Sequence, residues 1–315
     1  MRVVFLGSPA FAVPSLERLA ASRHEVAAVV TNPDRAAGRG RRLRPPPVKV
    51  AAETLGLPIL QPASPRQPDL PEQLAVVEPD AFAVIAFSIL PKRLLAVPRL
   101  GSVNVHPSLL PAYRGAAPII WALFDGCTET GISTFLLNPS VDAGDILLQE
   151  RVAIDPDETA GELEARLAVD GAELLLRSLD GLEDGTLEPQ PQIGTGLTRA
   201  PKLTRQDGQI DWTWPAERVR NRVRGANPMP GAFTSWSGGG LKVHRAQISP
   251  GEGTPGTVLI ADGRDGIVVA CGRGALRLTQ VQPEGRPRMM ADAFVRGYRL
   301  AVGERLGSAP PVDAT

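Results

Sequence analysis

Cysteine is nearly absent. Cys127 and Cys271 are too few and too far apart in 315 residues for a disulfide framework or a thiolate metal site, so a reducing, cytoplasmic setting is expected. No apolar run approaches the ~18 residues that span a bilayer, and no membrane association is expected. The opening stretch MRVVFLGSPAFAVPSL carries a single positive charge and is interrupted by Pro9 and Pro14, which reads as a first buried strand rather than a signal peptide. No G-x-G-x-x-G follows that strand, so a dinucleotide site is not supported. Internal repeats and metal-ligand spacings are missing too, and no metal is expected. Net charge is formally zero but unevenly spread: residues 1–200 hold 18 Lys+Arg against 24 Asp+Glu, and residues 201–315 hold 16 against 10. A basic second half suits a polyanionic partner.

What is present is an alternation of apolar strands and amphipathic helices. Arg2–Leu6, Glu25–Thr31 and Ala81–Phe87 read as strands, and helices are expected at 13–21, 92–96 and 158–179. Near-continuous apolarity marks strands buried on both faces, as parallel strands are. The expected fold class is α/β: a Rossmann-like, mostly parallel open sheet over residues 1–188. Residues 189–205 are polar and rich in Gly, Pro and Gln, and read as a linker. Beyond them, short strands at 209–214, 232–236, 241–247, 256–260, 266–271 and 275–281, with one helix at 216–224, suggest a small, OB-like β-barrel over 206–306; 307–315 reads as a flexible tail. Asn32 to Lys49 is expected to be a long loop. It carries Arg35, Arg39, Arg41, Arg42, Arg44 and Lys49 against the single Asp34, which suits a flexible arm that grips phosphates.

The most informative stretch is Gly101 to Gly115, GSVNVHPSLLPAYRG. Side chains two apart on a strand share a face, so Asn104 and His106 project together while Val103 and Val105 face a core. Strand ends are where open α/β sheets place their sites. Alone, an N-x-H at a strand end also fits a surface histidine. A second element, Val141-Asp142-Ala143-Gly144-Asp145, comes after the strand at 131–137; if the two strands run parallel side by side, a carboxylate from this loop reaches His106. Asp142 and Asp145 are both candidates. An amide, an imidazole and a carboxylate include no strong nucleophile, which favours direct transfer between two bound substrates over covalent catalysis. His24 and His244 lie far from this cluster in sequence, and Trp212, Trp214 and Trp236 fit a barrel core better than a base-stacking surface.

Asn104-Val105-His106-Pro107-Ser108-Leu109-Leu110-Pro111, then Tyr113-Arg114-Gly115, with Asp142 thirty-eight residues after Asn104, resembles the signature of the folate-dependent formyltransferases. Gly7-Ser8-Pro9, Asn32-Pro33-Asp34-Arg35, Pro47-Val48-Lys49, Arg114-Gly115-Ala116-Ala117-Pro118 and Ile210-Asp211-Trp212 extend the likeness over the whole chain, to the branch that acts on methionyl-tRNA. The resemblance implies that Asn104, His106 and Asp142 are catalytic. It implies that 10-formyltetrahydrofolate is the co-substrate, held by Phe87, Ser88, Ile89, Leu90 and Pro91, by Ser108, Leu109, Leu110 and Pro111, and by Asp142. It implies a monomer whose partner is initiator methionyl-tRNA, gripped through the basic 35–49 segment and a C-terminal tRNA-binding domain. Where the family carries A-Y-G-x-x-L-P, this chain reads Ala86-Phe87-Ser88-Ile89-Leu90-Pro91 and is one residue shorter; Val141 and Ala143 replace the usual Leu and Thr. Acceptors of other kinds remain as alternatives: a small amine such as a glycinamide ribonucleotide or an amino sugar, or a non-catalytic tRNA-binding module.

Overall fold

The computed structural model describes residues 1–37, 42–193, 196–264 and 266–307, with the side chains of Ala37 and Arg42 left aside. The chain divides into two compact units. The first comprises Met1–Pro118, Glu129–Ala153 and Glu164–Pro201; the second comprises Ile119–Thr128, Ile154–Leu163 and the chain from Lys202 onward.

In chain order the strands of the first unit are β1 (Arg2–Gly7), β2 (Glu25–Val30), β3 (Arg35–Ala37), β4 (Arg42–Arg44), β5 (Ile59–Leu60), β6 (Ala81–Ile85), β7 (Ser102–His106), β8 (Arg114–Gly115), β9 (Glu129–Leu136), β10 (Ile146–Ala153) and β11 (Arg199–Ala200). Its helices are α1 (Val13–Ala20), α2 (Pro47–Thr54), α3 (Leu70–Ala75) and α4 (Lys92–Leu95); α5 (Pro118–Phe124) and α6 (Ala160–Glu183) run across the division. Seven strands form one sheet in the order β10-β9-β7-β6-β1-β2-β5. From β5 to β7 all pairs are parallel. Val4, Leu6, Ala28, Val30, Phe82 and Val84 face one way, into a core closed by Leu70 and Leu74 of α3 and Leu94 of α4. The alternate residues Val3, Phe5, Val29, Ala83 and Ile85 are equally buried, so both faces are covered and the strand sequences read as unbroken apolar runs.

β9 pairs antiparallel with β7, and β10 antiparallel with β9, which corrects the parallel arrangement expected for the strand that precedes Asp142. Within the 32–49 segment, Arg35↔Arg44, Ala36↔Leu43 and Ala37↔Arg42 pair antiparallel, and α2 begins at Pro47, so it is not loop throughout. Within the 189–205 stretch, Arg199 and Ala200 pair in parallel with Arg114 and Gly115.

The second unit is a separate antiparallel sheet. Its strands are β12 (Ala232–Trp236), β13 (Gly239–Ser249), β14 (Val258–Asp262), β15 (Gly266–Ala270), β16 (Ala275–Pro283) and β17 (Met289–Met290), with helices α7 (Ala216–Gly225) and α8 (Ala291–Gly297). The order is β12-β13-β16-β15-β14, with β17 on β16. Val219 and Val223 of α7 and Phe294 of α8 pack with Leu241, Val243, Ile267, Leu276 and Leu278. Gln209–Trp214 is not a strand; only Gln209 bridges to Phe233. The sequence pattern does not announce α8. Trp212 and Trp236 are core residues, the first donating its indole N–H to Thr234 Oγ1 at 3.0 Å. Cys271 is buried here, which pushes its thiol up to about 12.

Several arginines of this basic unit are part of its architecture. The Arg222 guanidinium lies 3.8 Å from the Phe124 ring centre and 5.1 Å from that of Trp214, and donates to the Asp207 carbonyl. Buried Arg224 donates to Asn221 Oδ1 and to the Asp155 carbonyl. Arg222→Ala should therefore lower the unfolding free energy by about 1–2 kcal/mol in urea titration, through lost stacking and stem packing. Arg222→Lys should recover less than half of that loss, because an ammonium does not replace a planar guanidinium on two rings.

Candidate active site

The parallel strands β1, β2, β6 and β7 end on one edge of the sheet, so the loops after Gly7, Val30, Ile85 and His106 gather there. β7 is stopped by Pro107. Asn104 lies opposite Val84 and Phe135, and His106 opposite Ser133. Asn104 is half-buried, and its side-chain amide makes no hydrogen bond among the described residues.

His106 is 5% exposed. Its Nε2 lies 3.0 Å from the Tyr113 carbonyl oxygen. A carbonyl only accepts, so Nε2 carries the proton and Nδ1 of the neutral ring is bare. Nδ1 faces Asp142 Oδ2 at 3.9 Å, beyond direct hydrogen-bond range but close enough for strong charge coupling. The ring meets Phe135 edge-on at 6.5 Å. Burial pushes the His106 imidazole below its ordinary value, while the Asp142 charge and the Tyr113 carbonyl pull the other way.

Tyr113 is brought back to His106 by the loop between them. Tyr113 itself takes φ 56°, a left-handed conformation. Ser108 Oγ donates to the Ala112 carbonyl at 2.6 Å. Ser133 Oγ donates to the Ser108 carbonyl at 2.7 Å and accepts from Leu110 N at 3.0 Å. Gln149 Nε2 donates to the Leu110 carbonyl at 2.9 Å. Sequence reasoning misses Ser133 and Gln149. They hold the Ser108–Pro111 loop only because β9 and β10 run antiparallel beside it, a register that no local pattern announces. A cleft of about 610 Å³ opens along this loop, lined by Leu109, Leu110, Pro111, Ala112, Gln149 and Arg151 among others.

Asp142 approaches from the far end of the sheet. Leu136, the last residue of β9, lies beside Val103 at the start of β7, so the 137–145 loop folds back across the sheet to reach His106. Asp142 takes φ 50° and its Oδ2 accepts from Gly115 N at 2.8 Å. Gly144 lies so close to β9 that a Cβ there would stand 1.6 Å from the Leu136 carbonyl oxygen. Asp145 is exposed and offers its backbone carbonyl to Leu136 N. Gln192 donates to the carbonyls of Asp142 and Gly144; sequence reasoning misses it too, because its stretch reads as a linker.

The 86–91 loop follows β6 beside the end of β7. Phe87 and Pro91 are half-buried, Leu90 is buried, Ser88 and Ile89 are exposed, and Ala86 takes φ 47°. Arg35 and Arg44 sit opposite each other in the β3–β4 pair, and Arg42 is placed in β4. Arg39 and Arg41 lie outside the described residues. Lys49 is not a free cation: its Nζ donates to both Asp34 oxygens at 2.9 Å, and Asp34 also accepts from Gln61. Both partners hold the Asp34 carboxyl below the usual carboxylate range. The His24, Asp180 and Glu183 side chains bring potential ligand atoms within 4.8 Å of one another, but Arg23 pairs with both carboxylates and the Met1 amine donates to Glu183, which makes the group an ion-pair network.

An amide, an imidazole and a carboxylate gather at the strand ends of a mostly parallel α/β sheet, and a separate antiparallel unit follows in the chain. The chain belongs to the formyl transferase family: residues 1–179 match formyl transferase, and residues 202–299 match the formyl transferase C-terminal domain. It is 46% identical over 308 residues to the methionyl-tRNA formyltransferase of Geobacter metallireducens, covering 98% of this chain and 99% of that one. Identity to the methionyl-tRNA formyltransferase of Myxococcus xanthus is 47% over 305 residues, covering 96% and 97%. Among solved structures, HypX from Aquifex aeolicus in complex with tetrahydrofolic acid has a TM-score of 0.65 at 19% identity; 94% of this chain is covered, and the chain spans 47% of HypX. The sugar 3N-formyl transferase WlaRD, solved with dTDP and 5-N-formyl-THF, has a TM-score of 0.66 at 14% identity over 91% of this chain and 99% of that one. These two likenesses concern the fold.

The geometry makes His106 neutral near pH 7. In NMR titration, readily assigned with only 3 histidines, its midpoint should fall below the ordinary imidazole value of 6.5, and Asp142→Asn should move it lower still by removing the charge that favours the imidazolium. His24 and His244 are likewise pushed down by burial. A depressed folded-state value means the unfolded chain binds more protons, so stability is present above the unfolded value and is lost as pH falls through the folded ones. The melting temperature should therefore be lower at pH 5 than at pH 7, and a chain with His106→Asn should lose less on acidification.

Proposed function

We propose that this chain transfers the formyl group of 10-formyltetrahydrofolate to the α-amine of initiator methionyl-tRNA. The observation that carries the reading is the bare Nδ1 of a buried, neutral His106 set beside Asp142, with the uncommitted Asn104 amide on the same strand. Relatives named for this activity at 46% identity over 98% of the chain support the same acceptor. Small-amine acceptors are not favoured by that likeness.

The amine attacks the formyl carbon, and negative charge grows on the formyl oxygen. Asn104 donates its Nδ2–H to that oxygen, help whose loss costs on the order of 10²–10³ in rate. The Nε2–H of His106 is spent on Tyr113, so a neutral His106 has no second N–H to offer. It instead accepts the amine's proton at Nδ1, becomes a donor in doing so, and is stabilised as imidazolium by Asp142. The same proton then passes to N10 of the folate as the carbon–nitrogen bond breaks. The folate is read as lying against Phe87–Pro91 and Ser108–Pro111, beside Asp142. Arg35, Arg39, Arg41, Arg42 and Arg44 are read as phosphate contacts for tRNA, with Lys49 bracing Asp34 beside Arg35. Residues 1–188 are taken as the catalytic domain, 189–205 as its connection, and 206–306 as an OB-like, tRNA-binding barrel, in a cytoplasmic monomer; 308–315 lie outside the described residues.

The test is formyl transfer from 10-formyltetrahydrofolate to methionyl initiator tRNA. His106→Ala should reduce kcat by about 10²-fold or more, with tRNA binding retained. Charge reversal at Arg35 and Arg44 should instead raise the KM for tRNA and flatten its salt dependence. A wild-type chain that formylates a small amine but not methionyl-tRNA would overturn the reading.

A further inference from the structure

Asp142 leaves the sheet at the end opposite His106, so strand pairing alone does not place it. Two contacts do. Its Oδ2 accepts from Gly115 N at 2.8 Å, and its backbone carbonyl accepts from Gln192 Nε2 at 3.0 Å. The same Gln192 nitrogen donates to the Gly144 carbonyl at 2.7 Å, so one side-chain amide holds two carbonyls on the returning limb of the loop. Gln192 is itself aimed by Arg114, whose Nε donates to its Oε1 at 3.1 Å and whose Nη2 donates there too. Arg114 lies next to Gly115 on β8, so both contacts close on one short strand.

The chain around Gln192 is fastened on either side. Gln190 exchanges backbone hydrogen bonds of 2.7 and 2.8 Å with Ile146, just past the loop. Thr198 Oγ1 accepts from Tyr113 N at 2.7 Å and the Thr198 carbonyl accepts from Arg114 N at 3.0 Å, beside the carbonyl that fixes His106. The Ala200 carbonyl accepts from Ala117 N, and Gly115 packs so tightly there that a Cβ would stand 2.4 Å from it. The 190–200 stretch thus grips the Asp142 loop near one end and the Tyr113–Gly115 strand near the other.

We infer that Gln192, oriented by Arg114, is a positioning residue that sets the place of Asp142 relative to His106. Its role is to donate to two carbonyls at once. Only an amide at this position does so while also accepting from Arg114. Glutamate keeps the Arg114 contact and has no N–H; alanine has neither. The activity readout rests on the function proposed above, and a second readout does not.

The experiment compares full-length wild type, Gln192→Ala, Gln192→Glu and Asp142→Asn. Misplacing Asp142 by about an ångström is expected to lower kcat by about 10- to 100-fold, with the KM values for folate and tRNA within about twofold. Gln192→Glu should fail as Gln192→Ala does, despite its stronger pairing with Arg114. Combined with Asp142→Asn, Gln192→Ala should cost less than about twofold more, because its effect runs through Asp142. Independently of activity, the NMR titration of His106 in Gln192→Ala should shift in the same direction as in Asp142→Asn, with melting temperature nearly unchanged. A His106 titration identical to wild type, or moved oppositely to Asp142→Asn, overturns the inference. So does wild-type activity in Gln192→Glu. If wild type itself fails on methionyl-tRNA, the functional proposal falls and the titration still decides the role of Gln192.

Discussion

The structure depends on keeping an imidazole dry while leaving one of its nitrogens bare. His106 is taken out of water at the end of a core strand, which disfavours its charged form. The Tyr113 carbonyl then fixes the tautomer, and Asp142 Oδ2 lies 3.9 Å from the bare nitrogen. Each constraint needs a different part of the unit. Burial comes from the sheet, the carbonyl from a loop whose Ser108 and Leu110 are tied to β9, and the carboxylate from a loop folded back across the sheet.

That division of labour explains why pattern alone picks out the candidate residues but only half of what supports them. Ser102–His106 is legible because side chains along any strand alternate between its two faces, and because Asn and His are out of place among valines. The doubly buried β1, β2 and β6 are legible from their unbroken apolar runs. The direction of β9 is not: an apolar strand reads alike beside a parallel or an antiparallel neighbour, and its direction is decided by the path of the connections at its two ends. The β3–β4 pair carries no clear alternation, since Leu43 and Arg44 are both exposed, and pairing of backbone groups is what holds it. Gln209–Trp214 imitates a strand through Ile210, Trp212 and Trp214, yet Thr213 donates to Asp211 and turns the chain.

The same limit governs Gln192. Its neighbours are polar and rich in Gly and Pro, the composition of a connection, and its work is done on backbone carbonyls. Backbone groups have no sequence signature, so a side chain that serves them looks idle until the fold is known. Lys49 is the converse case. It belongs to a run of cations whose charge suggests a partner, and its own partner is Asp34 fifteen residues away.

The register of β7 has one more consequence. Asn104 and His106 lie opposite Phe135 and Ser133, while Val103 and Val105 fill the other face. A slip of one residue would exchange the two sets, forcing an amide and an imidazole into hydrocarbon and leaving two valines at the strand ends. The chain is thus penalised during folding for the error that would also take apart the candidate site. The two groups proposed to react act as their own alignment marks, and a molecule that has found its most stable sheet has, by the same step, assembled the Asn104–His106 half of the candidate site.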